Sequence, residues 1–163
     1  MKIGILSDTH GYLPPKVLDF LSTCDEIWHA GDIGGSDVLP RLSLIAPVRA
    51  VYGNIDDAGI RRESPLYQLF EIAQTKVLMI HIGGYPKRYE KNAFALIKEH
   101  KPDLFISGHS HILKVMYDAQ NQLLHINPGA AGRSGFHLVI TAIRLDIENR
   151  EFKNLEILEV DRG

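Results

Sequence analysis

Residues 2–11 read KIGILSDTHG, a short apolar run that ends in side chains able to bind a metal ion. The run over residues 2–7 predicts a buried strand, because its apolar residues stand together and polar residues close it. Asp8 and His10 follow, with one residue between them. In extended backbone this spacing puts both side chains on one face, so we expect the pair to contact the same ion.

Four later apolar runs, which also predict strands, end in the same way beside a glycine. These endings are Gly31-Asp32, Gly53-Asn54, His81 followed by Gly83, and Gly108-His109-Ser110-His111. The loops beyond the carboxyl ends of parallel strands share one crevice of an open α/β sheet. We therefore expect seven side chains to converge there, namely Asp8, His10, Asp32, Asn54, His81, His109 and His111.

The spacing of apolar residues predicts a single α/β domain over residues 1–163. Strands and helices alternate up to residue 52, which is typical of right-handed crossovers and a parallel sheet. The later half has neighbouring strands and predicts antiparallel pairing. The predicted helices are 14–21, 36–45 with Ser36 as its cap, and 90–100; the later strands are 66–73, 76–80, 103–107, 112–118, 123–127, 137–147 and 152–159, with a hairpin turn at Gln74-Thr75.

Composition excludes several classes of protein. The 163 residues carry 18 Lys+Arg against 20 Asp+Glu, a formal net charge of -2. This balance gives no global attraction to nucleic acid or to a membrane surface, and we expect neither as a partner. Cys24 is the only cysteine, which excludes an intrachain disulfide. We expect a cytoplasmic protein with no signal peptide and no membrane span.

The seven candidate ligands comprise four imidazoles, two carboxylates and one amide. This mixture of nitrogen and oxygen donors suits Mn, Fe, Co, Ni or Zn. Seven donors are too many for one tetrahedral ion, but they suit two divalent ions that share a bridging carboxylate. After the charges of Asp8, Asp32 and a hydroxide are subtracted, two such ions leave about one positive charge to attract a phosphate.

The motifs D-x-H, G-D, G-N-x-D, H-x-G and G-H-x-H, in this order over residues 8–111, resemble the calcineurin-like metallophosphoesterases. The chain length and Asn127-Pro128-Gly129 are most similar to the small YfcE-like phosphodiesterases of that superfamily. The resemblance implies an α/β (α+β) metallophosphoesterase fold, a four-layer αββα sandwich in which two mixed β-sheets are flanked by helices.

The resemblance also implies how the ligands are shared. Asp8, His10, Asp32 and His111 are expected to hold one ion, and Asp32, Asn54, His81 and His109 the other, with Mn the most common metal. The implied function is a dinuclear metal-dependent phosphodiesterase, in which a hydroxide bridging the two ions attacks phosphorus. Asp32, Asn54 and His81 are accordingly the candidate catalytic residues, and the expected substrate is a small phosphodiester or nucleotide-like molecule.

Two positions depart from the family pattern. Ile55 stands where many larger members have a histidine that can protonate the leaving alkoxide, so we expect a preference for phosphodiesters or activated esters. Ile82-Gly83-Gly84 replaces the usual Gly-His after the ligand His81. The stretch Tyr85-Pro86-Lys87-Arg88-Tyr89 is expected to form a basic, aromatic wall over the site instead.

Other functions remain open on the sequence. The small retromer subunit shares this fold, lacks the acid histidine and works through partner binding, so a non-catalytic interaction module is one alternative. A phosphomonoesterase or nucleotide pyrophosphatase is another, and a homo-oligomer is also open. The retention of every ligand favours an enzyme. We expect structural roles for His29, His125 and His137, and solvated loop positions for Arg61, Arg62 and Arg133.

Overall fold

The computed structural model describes residues 1–163 without a gap. Its strands are β1 (Lys2–Leu6), β2 (Glu26–His29), β3 (Val48–Ala50), β4 (Tyr67–Ile72), β5 (Thr75–Ile80), β6 (Gly84–Tyr85), β7 (Arg88–Tyr89), β8 (Leu104–Ile106), β9 (Leu113–Asp118), β10 (Leu123–Pro128), β11 (Val139–Glu148) and β12 (Glu151–Asp161). Its helices are α1 (Pro15–Leu21), α2 (Val38–Ser43), α3 (Ala58–Glu63) and α4 (Lys91–His100). None of these helices has the length and apolar content that a membrane crossing requires.

The first sheet has five strands in the order β12-β11-β1-β2-β3. β1, β2 and β3 run parallel, with Ile5 opposite Trp28 and Trp28 opposite Arg49. β11 lies antiparallel to β1, and β12 antiparallel to β11. The parallel pairing that the alternation of strands and helices predicts is therefore confirmed for the early strands.

The second sheet also has five strands, in the order β4-β5-β8-β10-β9. β5, β8 and β10 run parallel, while β4 and β9 pair antiparallel at the two edges. The expectation of antiparallel pairing in the later half is therefore wrong for two pairs of strands, β5 with β8 and β8 with β10, which are parallel. It is right for the hairpins β4–β5 and β9–β10.

Apolar side chains pack in three layers between four layers of structure. Ile3 and Trp28 of the first sheet pack with Met79 and Ile106 of the second, so the two sheets lie face to face. A second cluster joins α1, α2 and α3 to the other face of the first sheet, and a third joins α4 to the second sheet. The fold is therefore the four-layer αββα sandwich of two mixed sheets flanked by helices.

Local details differ from the sequence predictions at four places. The hairpin turn lies at Ala73-Gln74, whose φ angles of 48° and 61° match the twist of the flanking strands, so Thr75 belongs to β5. Asp37, rather than Ser36, precedes α2. The six-residue helix α3 and the short hairpin β6–β7 were not expected, because neither is long enough to show a hydrophobic period.

Candidate metal centre

The carboxyl ends of β1, β2, β3, β5 and β8 supply all the expected ligands. Asp8 and His10 follow β1 and come to lie beside His111, which follows β8. One donor atom from each of these three residues lies within 4.8 Å of the others. His111 Nε2 is 3.2 Å from Asp8 Oδ1, and His10 Nε2 is 3.9 Å from the same oxygen. We call these three residues the first donor group.

Asp32, His81 and His109 form a second donor group, and their donor atoms also lie within 4.8 Å of one another. His81 Nε2 is 3.2 Å from Asp32 Oδ1. Asn54 adjoins this group, because its Oδ1 lies 3.1 Å from His109 Nδ1. The structure thus brings together all seven side chains expected to converge.

The Asp32 carboxylate lies between the two groups. Its Oδ1 faces His81 of the second group, and its Oδ2 is 3.4 Å from His10 Nε2 of the first group. A single carboxylate therefore presents one oxygen to each group, as a bridging ligand does.

Backbone conformation at these residues differs from the extended chain expected from their spacing. Five of them have positive φ angles, which are 55° at Asp8, 46° at His10, 54° at Asp32, 73° at His109 and 62° at His111. Such a conformation costs a non-glycine residue of order 1–3 kcal/mol, and it concentrates at functional sites. The same spacing at His109 and His111 predicts that this pair also contacts one ion together, and that prediction is wrong, because each of the two lies in a different donor group.

Two glycines leave the space that this arrangement needs. Gly31 has a φ of 101°, and a side chain there would place its Cβ 2.6 Å from His81 Nδ1. A Cβ at Gly53 would overlap Asp32 Oδ1. Any larger residue at either position would displace a donor.

Hydrogen bonds fix which nitrogen of His81 is free. His81 Nδ1 is 2.7 Å from the Ala30 carbonyl oxygen, which can only accept, so Nδ1 carries the proton. The Nε2 lone pair therefore points at the carboxylates of Asp8 and Asp32, at 3.8 Å and 3.2 Å. A backbone carbonyl that orients a histidine in this way is typical of metal sites.

His137 fixes which ring nitrogen of His111 carries the proton. His137 Nε2 donates to the Gly132 carbonyl at 2.7 Å, so in the neutral ring its Nδ1 is an acceptor. It receives the Nδ1 proton of His111 at 3.2 Å, which leaves His111 Nε2 free towards Asp8. His137 is thus a positioning residue, a role that its place in the sequence did not reveal.

Buried polar groups around the ligands hold the loops in place. His29 Nδ1 accepts from Gly31 N–H, so its Nε2–H donates to Thr9 Oγ1, between Asp8 and His10. The Asp56 carboxylate accepts the backbone N–H groups of Ile33, Gly34 and Gly53, which ties the loop after β2 to the loop after β3. Asp56 belongs to the G-N-x-D motif, but this role could not be read from the sequence.

The carboxylates and imidazoles of the site shift one another's pKa values. Burial by itself would raise the pKa of the Asp8 carboxyl, but His10, His111 and His81 outweigh it and hold that pKa well below its usual range. The negative charge of the nearby Asp8 carboxylate raises the pKa of His10. Burial lowers the pKa of His81, yet the adjacent Asp32 more than offsets this and raises it. Protons on these two rings therefore compete with any metal ion for the same nitrogens.

The donor set fits divalent cations. Asp8 Oδ1, His10 Nε2 and His81 Nε2 are buried and have no hydrogen-bond partner. Buried acceptors without donors are costly, and positively charged ions placed between them would satisfy both the oxygens and the nitrogens. The absence of thiolate and the mixture of imidazole with carboxylate match first-row transition metals rather than Ca²⁺.

Comparison with known proteins supports the interpretation of these side chains as a metal site. The model of the calcineurin-like phosphoesterase superfamily domain matches residues 1–150. The chain belongs to this superfamily. Among relatives, it is 37% identical to a protein named as a probable metallophosphoesterase of Methanothermobacter thermautotrophicus, over 136 residues that cover 80% of this chain and 77% of the relative.

Two solved structures superpose on nearly the whole chain. An archaeal phosphodiesterase has a TM-score of 0.76 at 26% identity, covering 97% of this chain and 100% of that one. Vps29 of Entamoeba histolytica, solved in complex with zinc, has a TM-score of 0.77 at 21% identity, covering 100% of both chains. At that identity, the likeness to Vps29 shows the shared fold.

Two side chains, Ile55 and Arg61, lie beside the second donor group. Ile55, in the place of the acid histidine, is 45% exposed at the rim, and its N–H donates to Asp32 Oδ1 at 3.1 Å. Arg61 is held more firmly than a solvated loop charge, because it donates to the carbonyls of Asp56 and Asn54 and lies 4.5 Å from the Tyr52 ring. The largest cavity, of about 640 Å³, contains none of the candidate ligands.

Proposed function

We propose that the protein is a phosphodiesterase that uses two divalent metal ions, one in each donor group. The observation that carries this proposal is the Asp32 carboxylate, whose two oxygens face the two groups. Membership of the superfamily and the likeness to an archaeal phosphodiesterase support it. Manganese is the proposed metal, with Fe, Ni, Co or Zn as substitutes, since all accept nitrogen and oxygen donors.

When bound, the ions would supply an activated water near neutral pH and would polarise the phosphoryl oxygens. The protein's own groups orient the side chains that would hold the ions. Ala30 and Gly132 fix the tautomers of His81 and His111, the latter through His137. Ser7 Oγ and the His109 N–H both donate to Asp8 Oδ2, which leaves Oδ1 free for the ion. These groups are in place before substrate arrives, which lowers the cost of reorganisation.

Substrate preference follows from the rim of the site. Ile55 cannot donate a proton, so leaving groups that depart as alkoxides would lack up to about 10²–10⁴-fold of acid assistance. Phosphodiesters with activated or stabilised leaving groups are therefore the preferred class. A phosphomonoesterase would use the same ligands. Assays with monoester and diester substrates distinguish the two activities.

The direct test is hydrolysis of bis-p-nitrophenyl phosphate by metal-free protein and by protein with added Mn²⁺. We expect turnover only with the metal, and a loss of at least about 10³-fold in Asp32→Asn, which removes the charge shared by both groups. Asp19→Asn, an exposed position on α1, is the matched control and should keep full activity. Hydrolysis of p-nitrophenyl phosphate at a higher rate would instead indicate a monoesterase.

The alternative is a protein that binds partners without catalysis, because Vps29 structures share the fold. The two proposals differ in one outcome. A protein that binds manganese through these ligands, but turns over neither diesters nor monoesters, would favour the interaction module.

A further inference from the structure

A cavity of about 210 Å³ lies beside the second donor group, under the hairpin β6–β7 and next to the ends of β9 and β10. Gly108 and His109 form part of its wall, so it continues directly from the metal centre. The side chains that give this cavity its chemistry are not among the seven candidate ligands.

Two cations line the cavity from different strands. Arg88 projects from β7 and Lys114 from β9, and neither makes an ion pair or a side-chain hydrogen bond. Lys114 Nζ lies 4.2 Å from the centre of the Tyr85 ring, which also lines the cavity. The one carboxylate in the wall, Glu90, accepts the N–H groups of Asn92 and Ala93 at the start of α4, so the helix terminus offsets its charge.

Ser110 adds a directed donor. Its Oγ accepts from Ile112 N–H at 3.1 Å and from Asn127 Nδ2 at 3.1 Å. Both lone pairs of the hydroxyl are therefore engaged, and its hydrogen is left to donate. Two cations and a free hydroxyl donor make a typical set of contacts for a phosphate.

His125 supplies an acceptor at the same cavity. The ring is fully buried and stacks on Phe105, with its centroid 5.4 Å from that ring. Its Nδ1–H donates to the Phe105 carbonyl at 3.2 Å, so Nε2 carries a lone pair, and this atom has no partner. A buried acceptor needs a hydrogen-bond donor, and a bound water or a hydroxyl or N–H group of a ligand can supply one.

We propose that this cavity binds a second phosphate group of the substrate, and that the preferred substrate is a nucleotide-like phosphodiester carrying an additional phosphate monoester. Arg88, Lys114 and Ser110 bind that phosphate, and His125 Nε2 accepts from a neighbouring hydroxyl or N–H of the sugar or base, directly or through one water. The proposal rests on the proposed phosphodiesterase function, and the same side chains would then select among diesters.

The test compares two chromogenic esters that differ only in the second phosphate, thymidine 5′-(p-nitrophenyl phosphate) and its 3′-phosphorylated form. We expect the 3′-phosphate to lower KM by about tenfold in the parent protein, as two charge-assisted contacts allow. Arg88→Ala and Lys114→Ala should each reduce this preference several-fold, by raising KM more than they lower kcat. Lys16→Ala, an exposed lysine on α1, is the matched control and should retain the full preference.

Calorimetry separates this proposal from the proposed function. Thymidine 3′,5′-bisphosphate should bind about tenfold more tightly than thymidine 5′-monophosphate, with or without Mn²⁺, and the Arg88→Ala/Lys114→Ala double variant should bind both alike. If no ester is hydrolysed but this difference is observed, the phosphodiesterase proposal fails and the phosphate site stands. Equal binding by the parent, or a preference that survives in the double variant, would overturn the phosphate site.

His125→Phe keeps the aromatic ring against Phe105 but removes the acceptor. We expect it to weaken binding of thymidine 3′,5′-bisphosphate several-fold while circular dichroism shows an unchanged fold. Unchanged affinity would remove His125 from the site.

Discussion

A backbone group holds one ring nitrogen of His81 and one of His29, and His137, itself held by a backbone carbonyl, holds one ring nitrogen of His111. These contacts decide whether the other ring nitrogen carries a lone pair or a proton. The carbonyls of Ala30 and Gly132 and the N–H of Gly31 are backbone groups, whose roles as acceptors or donors cannot change. His81 and His111 therefore direct free lone pairs into the crevice. Both ring nitrogens of His29 are already engaged in hydrogen bonds, so His29 has no free lone pair. None of these partners is visible in sequence, since each depends on where a distant loop places its backbone.

Ile55 offers a test of the missing general acid. We expect Ile55→His to accelerate hydrolysis most for diesters with basic leaving groups, by up to about 10²-fold, and to change the rate for p-nitrophenyl esters little. The measurement is kcat/KM across aryl and alkyl diesters of graded leaving-group pKa, for the parent and the variant. The same gain for every leaving group would contradict a role in proton donation.

His125 makes the stability of the protein sensitive to acid. Burial lowers its pKa from 6.5 to about 4, so the unfolded chain takes up a proton below pH 6.5 while the folded chain does not. The stability is thus fully present above pH 6.5 and falls as the pH drops towards 4, by about 2 kcal/mol between pH 7 and pH 5 for this one group.

Urea unfolding of metal-free protein at pH 7 and pH 5 measures this effect. The loss of unfolding free energy between the two pH values should be about 2 kcal/mol smaller in His125→Phe than in the parent. An equal loss in both proteins would show that His125 is not held neutral by burial.

At the scale of elements, the hairpin β6–β7 carries Tyr85 and Arg88 over the crevice. Its anchor is Tyr89, whose hydroxyl donates to Asp118 Oδ2 at 2.6 Å at the end of β9 and whose ring stacks on Phe94 of α4. Of the predicted basic and aromatic wall, only Tyr85 and Arg88 line the cavity proposed to bind phosphate. Lys87 and Tyr89 line a neighbouring cavity, which Arg88 also borders. Tyr89 therefore positions the wall without being part of it.

We expect Tyr89→Phe to lower the free energy of unfolding by about 1–2 kcal/mol, because it removes a hydrogen bond to a carboxylate that keeps other donors. It should also raise KM for the 3′-phosphorylated ester, since the hairpin loses its anchor. Urea unfolding and steady-state kinetics measure the two effects. Tyr67→Phe, on β4, removes a hydroxyl that makes no hydrogen bond and should change neither; a similar loss there would argue against a specific anchor.

β1, β2 and α4 could be predicted from sequence. The apolar residues of β1 and β2 stand together in a run, and those of α4 repeat at helical spacing. α3 has one buried apolar residue, Ile60, and it begins because the Asp57 side chain accepts the Ile60 N–H. A cap followed by a single turn gives too weak a pattern to separate from a loop.

At the scale of the whole molecule, the site exists because five parallel strands in two sheets end at the same edge. The convergence of seven side chains could be predicted from this rule, since each follows an apolar run. The positive φ angles at Asp8, His10 and three further ligands could not, because they arise only when the loops pack against one another. The four-layer arrangement likewise came from family resemblance, since periodicity does not show which sheet a strand joins.

The central claim is that two divalent ions occupy the two donor groups. Anomalous diffraction from crystals grown with saturating Mn²⁺, recorded on both sides of the manganese absorption edge, tests it most directly. We expect two peaks, one contacting Asp8, His10 and His111 and one contacting Asp32, His81 and His109, with Asp32 touching both. A single peak, no peak, or manganese bound elsewhere would contradict it.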